Sequence, residues 1–109
     1  MITLDTVAAA VEVVESQGQW WVESRAGNRG VMQVHPKWAD VPPAMLWIPE
    51  VNRAEGRRLL TYWHHQAHGR WAFALAAYNC GWGGLKGKCG KGYARRVLRI
   101  SKEGTWKNT

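Results

Sequence analysis

The chain has 109 residues, of which 46% are hydrophobic and 21% are charged. This composition is typical of one globular domain and excludes a disordered chain. No run approaches about 18 apolar residues, so we expect no stable membrane insertion. The formal net charge of +7 is concentrated in residues 56–109, which carry eleven basic side chains and one acidic side chain. This basic half predicts an anionic partner, or else a solvated surface that promotes solubility.

The first predicted element is an amphipathic helix with Thr3 as its N-cap. Its apolar stripe consists of Leu4, Val7, Val11 and Val14. Glu15 follows this stripe at the end of the helix, where partial burial and the helix dipole both disfavour a negative charge. We therefore expect a raised pKa for Glu15, which suits a general acid. The alternative is an ordinary carboxylate at the rim of the core.

The middle of the chain is predicted to hold a short helix, a connection and a longer helix. Residues 30–39 favour the short helix, and residues 40–50 form a proline-rich connection. Asn52 and Glu55 are spaced as a capping pair that opens a helix to about His68. The side chains expected on its buried face are Leu59, Leu60, Trp63 and Ala67.

Two more helices are predicted in the basic half. Residues 71–80 are strongly apolar and long enough for a central helix, which ends at the glycines of residues 81–84. The last helix, residues 92–101, would bury Tyr93, Val97 and Ile100 and expose Arg95, Arg96 and Arg99. Because no alternation typical of strands is present, we expect one mainly α domain over residues 1–109.

The cysteines and histidines are weak signals. Cys80 and Cys89 could close a small disulfide loop or remain thiols, and we expect thiols because no export signal is apparent. His64 and His68 have a spacing that zinc ligands use on a helix, but the glutamate of HExxH and a third ligand are missing. We expect an exposed polar face there, with no metal and no cofactor.

Three motifs carry the functional signal. The first begins at Glu15-Ser16 and continues with Ser24, Gly27, Gly30 and Val31-Met32-Gln33. The second is Ala-Leu-Ala-Ala-Tyr-Asn-Cys-Gly, residues 74–81, and the third runs from Tyr93 to Leu98. With these motifs in this order, the chain resembles the soluble lytic transglycosylases of the goose-type lysozyme-like superfamily, which cleave peptidoglycan.

The resemblance implies a lysozyme-like fold and a set of site residues. Glu15 would be the catalytic acid and later the base. The implied substrate-binding residues are Ser16, Ser24, Met32, Gln33, Tyr78, Asn79 and Tyr93. The serines would orient Glu15 or the acetamido group of the substrate. Met32 and Gln33 would line the cleft, which Tyr78 and Asn79 would face from the central helix.

The chain departs from the family pattern at two places. Gln19-Trp20 stand where the family often has Asn-Pro, and residues 89–92 lack the acidic residue and threonine that often precede the tyrosine of the third motif. The second departure removes any carboxylate support from that loop. It leaves Glu15 itself unaffected.

The chemistry that the resemblance implies needs one carboxyl group, whereas most glycosidases use two. The acetamido oxygen of the muramoyl sugar would attack its own anomeric carbon, and the C6 hydroxyl would then close a 1,6-anhydro ring. The bond cleaved would be MurNAc-β-1,4-GlcNAc. Two alternatives remain: a hydrolytic muramidase on the same fold, and a non-catalytic wall-binding or virion module.

Six of the eight tryptophans fall into two predicted kinds. Indole rings stack well on sugar rings, and the loop tryptophans Trp20, Trp21 and Trp82 are the candidates for this role. We expect the others near predicted helices, Trp47, Trp63 and Trp71, to lie in the core.

The expected partner is the glycan strand of peptidoglycan. The basic residues fit acidic wall polymers, and no reader motif favours nucleic acid. The N-terminus lacks the basic segment of a signal peptide. We therefore expect a bacteriophage or prophage protein that acts in the periplasm or cell wall, delivered in a virion beside other virion proteins or released at lysis.

Overall fold

The computed structural model describes residues 2–103, which form five α-helices and two short 3-10 helices. The α-helices are α1 Leu4–Ser16, α2 Pro49–Gln66, α3 Trp71–Cys80, α4 Trp82–Leu85 and α5 Lys91–Glu103. The 3-10 helices are Pro36–Trp38 and Pro43–Trp47. Between residues 2 and 103 the only β-type pairing is two isolated bridges near Arg29, so the mainly α prediction is confirmed. None of the helices in this range has the length and hydropathy to span a membrane.

Helix α1 forms as its sequence predicts. Thr3 is the N-cap, and it exchanges hydrogen bonds with Thr6 in a capping box. Val7 and Val11 are fully buried. The helix ends because Gln17 adopts a left-handed conformation with φ of 55°. Glu15 therefore lies in the last turn, next to the core.

Helix α3 is central and packs against α2, α4 and α5. Its buried residues, 74–77, are three alanines and one leucine, and small side chains allow neighbouring elements to approach closely. Gly84 in α4 and Gly90 before α5 both lie so near the Ala76 backbone that a Cβ atom at either position would collide with it. The chain between α3 and α5 is thus folded directly onto α3.

Cys80 and Cys89 form a disulfide, so the expectation of free thiols is wrong. The physical reason is the path of the chain, because α4 turns back over the end of α3. This turn brings the two Cα atoms to 6.5 Å, within the range that a disulfide can bridge.

Two predictions for the middle of the chain are also wrong in detail. Only Pro36–Trp38 is helical within residues 30–39, because Gly30 and Gln33 both have positive φ, at 76° and 55°, and form a turn. Helix α2 begins at Pro49, whose ring fixes a helical φ, rather than at a cap formed by Asn52. Asn52 instead lies inside the helix and is fully buried.

Candidate active site

A cavity of about 520 Å³ opens between α1, α2, α3 and α4. Glu15 from α1, Gln33 from the turn before the first 3-10 helix, and Tyr78 and Asn79 from α3 all line it. Among the residues of the described range that line this cavity, Glu15 is the only acidic one. The fold therefore brings the first two sequence motifs together around a single carboxyl group.

The third motif contacts that carboxyl group directly. The Tyr93 hydroxyl donates a hydrogen bond of 2.8 Å to Oε2 of Glu15. Partial burial raises the pKa of Glu15, while the Tyr93 hydrogen bond and the positive charge of Arg96 lower it, and the net direction is upward. The expected raised pKa is confirmed in direction. Tyr93 thus contacts Glu15 directly, and its implied role in substrate binding stays a prediction.

A hydrogen bond from Tyr78 connects α3 to the turn at the end of the first motif. The Tyr78 hydroxyl donates a 2.7 Å hydrogen bond to the Met32 carbonyl, and burial raises its pKa. The Met32 side chain is 1% exposed and packs over Gly56, where a Cβ atom would collide with it. The expectation that Met32 lines the cleft is therefore wrong for its side chain, which lies in the core.

Gln33 lies in the cavity wall in a left-handed backbone conformation that is rare for residues other than glycine. Its Nε2 atom donates to the carbonyl groups of Val22 and Gly30, both at 3.0 Å. These two hydrogen bonds fix the turn and stabilise the unusual conformation. Asn79 is exposed at the cavity, where its amide group is accessible to a ligand.

The two serines of the first motif form hydrogen bonds with backbone groups of the loop. Ser16 Oγ donates to the Val31 carbonyl at 2.7 Å, and Ser24 Oγ accepts from the Asn28 amide at 3.0 Å. Within the described part of the chain, neither hydroxyl hydrogen-bonds to Glu15. The two serines thus fix loop backbone, and their implied role toward Glu15 or the substrate stays a prediction.

Asn52 shapes the site, although its sequence pattern predicted only a helix cap. Its Oδ1 accepts from the Met32 amide at 2.8 Å, and its Nδ2 donates to the carbonyl groups of Arg29 and Leu46 at 2.7 and 2.9 Å. One buried amide therefore joins the first-motif turn to α2. The available signal was the four-residue spacing of Asn52, Gly56 and Leu60, which places Asn52 on the buried face of α2.

The tryptophans are distributed differently from the prediction. Trp63 lines the cavity instead of lying in the core, and Trp38, which no motif indicated, lines it too. Trp82 lines it as expected, whereas Trp20 and Trp21 are not among the described residues of its wall. Trp71 packs against the core, as predicted. Trp47 is partly buried, beneath the Arg29 guanidinium.

The other carboxylates nearest the cavity are already engaged. Arg58 lines the cavity, donates to the Trp38 carbonyl at 2.6 Å and pairs with Asp40 and Glu55. Burial alone would raise the pKa of Glu55, but the Asp40 amide and Arg58 outweigh it and the pKa is lowered. Glu55 is thus held as a structural carboxylate.

Comparison with known proteins agrees with this geometry. The protein-family model named transglycosylase SLT domain matches residues 3–97 of this chain. The 70 kDa soluble lytic transglycosylase SLT70 of Escherichia coli is 25% identical, with a TM-score of 0.78, over 93% of this chain and 21% of that one. An inactive mutant of the lytic transglycosylase Slt of Pseudomonas aeruginosa is also 25% identical, with a TM-score of 0.64, over 84% of this chain and 15% of that one.

The chain thus spans about a fifth or less of the solved structures that it matches. No curated protein matches it significantly. The family model covers most of the chain and includes all three motifs of the site, except the last residue of the third. The chain therefore belongs to the transglycosylase SLT domain family.

Proposed function

We propose that this chain is a single catalytic domain that acts as a peptidoglycan lytic transglycosylase. It cleaves the MurNAc-β-1,4-GlcNAc bond and leaves a 1,6-anhydroMurNAc end. The observation that carries the proposal is Glu15, the single acidic side chain among the described residues of the cavity wall, with its raised pKa and its hydrogen bond from Tyr93. Both solved relatives are lytic transglycosylases by name, which supports the same chemistry here.

Glu15 serves as the general acid in the first step. Burial favours its protonated form, so it can transfer a proton to the glycosidic oxygen as the bond to C1 breaks. As the proton leaves, Glu15 becomes a carboxylate. The Tyr93 hydroxyl then stabilises this anion, because a hydrogen bond donated to a charged acceptor is stronger than one to a neutral acceptor.

The substrate supplies the nucleophile that a second carboxylate would otherwise supply. The acetamido oxygen bonds to C1 and forms an oxazolinium ion. The C6 hydroxyl oxygen then bonds to C1, the bond between C1 and the acetamido oxygen breaks, and the hydroxyl proton passes to the Glu15 carboxylate. Glu15 ends protonated, and no water is consumed.

A basic face on α5 supports an anionic polymer as the substrate. It consists of the exposed residues Lys91, Arg95, Arg96, Arg99 and Lys102. Among the described acids of the neighbouring α1, only Glu15 interacts with this face, through the charge of Arg96, whereas Asp5 pairs with Arg57 and Glu12 with Arg53. The basic face is therefore available to the carboxylates of peptidoglycan stem peptides.

The place of action that we propose is the bacterial cell wall, with delivery in a phage virion beside other virion proteins or release at lysis. Mass spectrometry of purified virions tests the delivery part. Detection of the chain in virions favours entry, and detection only in lysates favours lysis.

The catalytic proposal is tested by the release of soluble fragments from purified peptidoglycan. Loss of the general acid in Glu15→Gln should lower the rate by about 10² to 10⁴-fold. The matched control is Glu12→Gln, because Glu12 lies one turn back on α1 and pairs with Arg53 outside the cavity. Unchanged release by Glu15→Gln would contradict the proposal. Wall binding without release by the parent protein would favour a non-catalytic module.

A further inference from the structure

Three aromatic side chains form one cluster in the cavity wall, which we name the aromatic platform: Tyr62 and Trp63 from α2, and Trp82 from α4. The ring centroid of Trp63 lies 5.1 Å from that of Tyr62 and 4.9 Å from that of Trp82. The Tyr62 and Trp82 centroids are 6.4 Å apart, and all three pairs are close to perpendicular. These edge-to-face contacts are favourable, so the rings stabilise one another in a fixed arrangement.

The platform is fixed but not buried. Trp82 is 52% exposed and Tyr62 is 43% exposed, while Trp63 is partly buried between them. Exposed apolar side chains that adjoin one another mark a binding surface, whereas isolated ones are ordinary. Because these side chains line the same cavity as Glu15, their exposed surface faces the region that the substrate enters.

The backbone around Trp82 is held in place from several directions. Gly81 has φ of 76° and ψ of −152°, a conformation essentially restricted to glycine, and it turns the chain from α3 into α4. Gly84 packs directly on the α3 backbone at Ala76. The Cys80–Cys89 disulfide closes the loop that contains Trp82. The ring is therefore preorganised before any ligand binds.

We propose that the aromatic platform is a saccharide-binding site, in which the face of the Trp82 ring stacks on one N-acetylated pyranose ring of the glycan strand. The proposal rests on the proposed function, since it assigns a binding site for the same polymer. Trp63 supports Trp82 from behind, and Tyr62 borders the bound ring.

A sugar ring fits this surface better than a stem peptide does. The axial C–H groups of a pyranose form a flat apolar face that matches an indole ring, and its equatorial hydroxyl groups point outward to polar partners. One such partner adjoins the platform, because Asn79 lines the same cavity and is exposed. Arg58 also lines this cavity, but it already pairs with Asp40 and Glu55. The cluster of exposed basic residues that would attract peptide carboxylates lies instead on the basic face of α5.

The test measures binding by the Glu15→Gln protein, which removes turnover. The probe is a peptide-free tetrasaccharide of alternating N-acetylglucosamine and N-acetylmuramic acid, titrated by calorimetry. Trp82→Ala should weaken binding about tenfold, and Trp82→Phe, which keeps an aromatic face, should weaken it by about threefold or less. The control is Ile48→Ala, because Ile48 is an exposed apolar side chain, at 43%, that lies outside the described cavity wall. It should change the affinity by less than about twofold.

Kinetics of the active protein provide a second readout. Stacking stabilises the bound substrate and the transition state alike, so Trp82→Ala should raise KM more than it lowers kcat. Unchanged affinity in Trp82→Ala, or an equal loss in Ile48→Ala, would overturn the proposal. So would a Trp82-dependent affinity for free stem peptide that exceeds that for the tetrasaccharide, or no tetrasaccharide binding at all. None of these results decides the catalytic role of Glu15, which the fragment-release assay tests separately.

Discussion

Replacing Tyr93 by phenylalanine removes the 2.8 Å hydrogen bond to Glu15 and leaves the aromatic ring in its buried position. Glu15 must be protonated to act as the acid, so activity should fall as the pH rises through its pKa. The Tyr93 hydroxyl favours the ionised form of Glu15 and thereby lowers this pKa. Tyr93→Phe should therefore raise the pKa further and move the alkaline limb of the pH–rate profile to higher pH.

The size of this effect follows from the hydrogen bond. A hydrogen bond to a charged group contributes about 1.5 to 3 kcal/mol, and the low end applies because Glu15 is only partly buried. Since one pH unit corresponds to about 1.4 kcal/mol, the midpoint of the alkaline limb should rise by about 1 pH unit.

The assay is fragment release from purified peptidoglycan as a function of pH, with Tyr78→Phe as the matched control. Tyr78 also loses a hydroxyl at the cavity, but its hydrogen bond goes to the neutral Met32 carbonyl. The alkaline limb of the pH–rate profile should shift much less in Tyr78→Phe than in Tyr93→Phe, even if the Tyr78→Phe rate is lower. An alkaline limb that stays in place or moves to lower pH in Tyr93→Phe would refute the assigned role of this hydrogen bond.

Three further predictions concern stability. Asn52→Ala should lower the free energy of unfolding by about 2 to 4 kcal/mol in denaturant titration, because it leaves two buried backbone groups and one partly buried group without their partner. A loss under about 1 kcal/mol would contradict this. Joint replacement of Cys80 and Cys89 by serine should lower the free energy of unfolding by about 2 to 3 kcal/mol from loop entropy alone, at a sequence separation of 9. Equal stability of the oxidised parent protein and the variant would count against the disulfide. Glu15→Gln should raise the melting temperature at neutral pH, because the folded state disfavours the ionised carboxyl whose pKa is raised from 4.5. The destabilisation by ionised Glu15, which Glu15→Gln removes, increases as the pH rises from the ordinary pKa of the carboxyl group through the raised one. The increase in melting temperature should therefore disappear in acid. An increase that persists in acid would have another cause.

Local patterns in the sequence predicted the parts of the molecule that depend on near neighbours. The Thr3 cap and the apolar stripe of α1 involve residues within a few positions of one another, and they formed as expected. The same holds for the buried face of α5, where Val97 is fully buried. Glu15 could be placed at the edge of the core because it directly follows the α1 stripe.

The parts that the sequence did not predict depend on contacts between distant segments. Asn52 fits a helix cap by local rules, yet its partners Met32 and Arg29 lie 20 and 23 residues away along the chain. Trp63 is apolar enough for the core, but Trp82 folds against it at the cavity instead. The disulfide likewise depends on α4 turning back over α3. Helical periodicity carries no information about any of these pairings.

The central claim is that Glu15 drives a cleavage in which the C6 hydroxyl of the substrate takes the place of water. The most direct test is mass spectrometry of the muropeptides released from purified peptidoglycan, with Glu15→Gln as the control. We expect 1,6-anhydro ends, lighter by one water than reducing ends, and their loss in Glu15→Gln. Reducing ends released by the parent protein would contradict it and make the domain a hydrolytic muramidase.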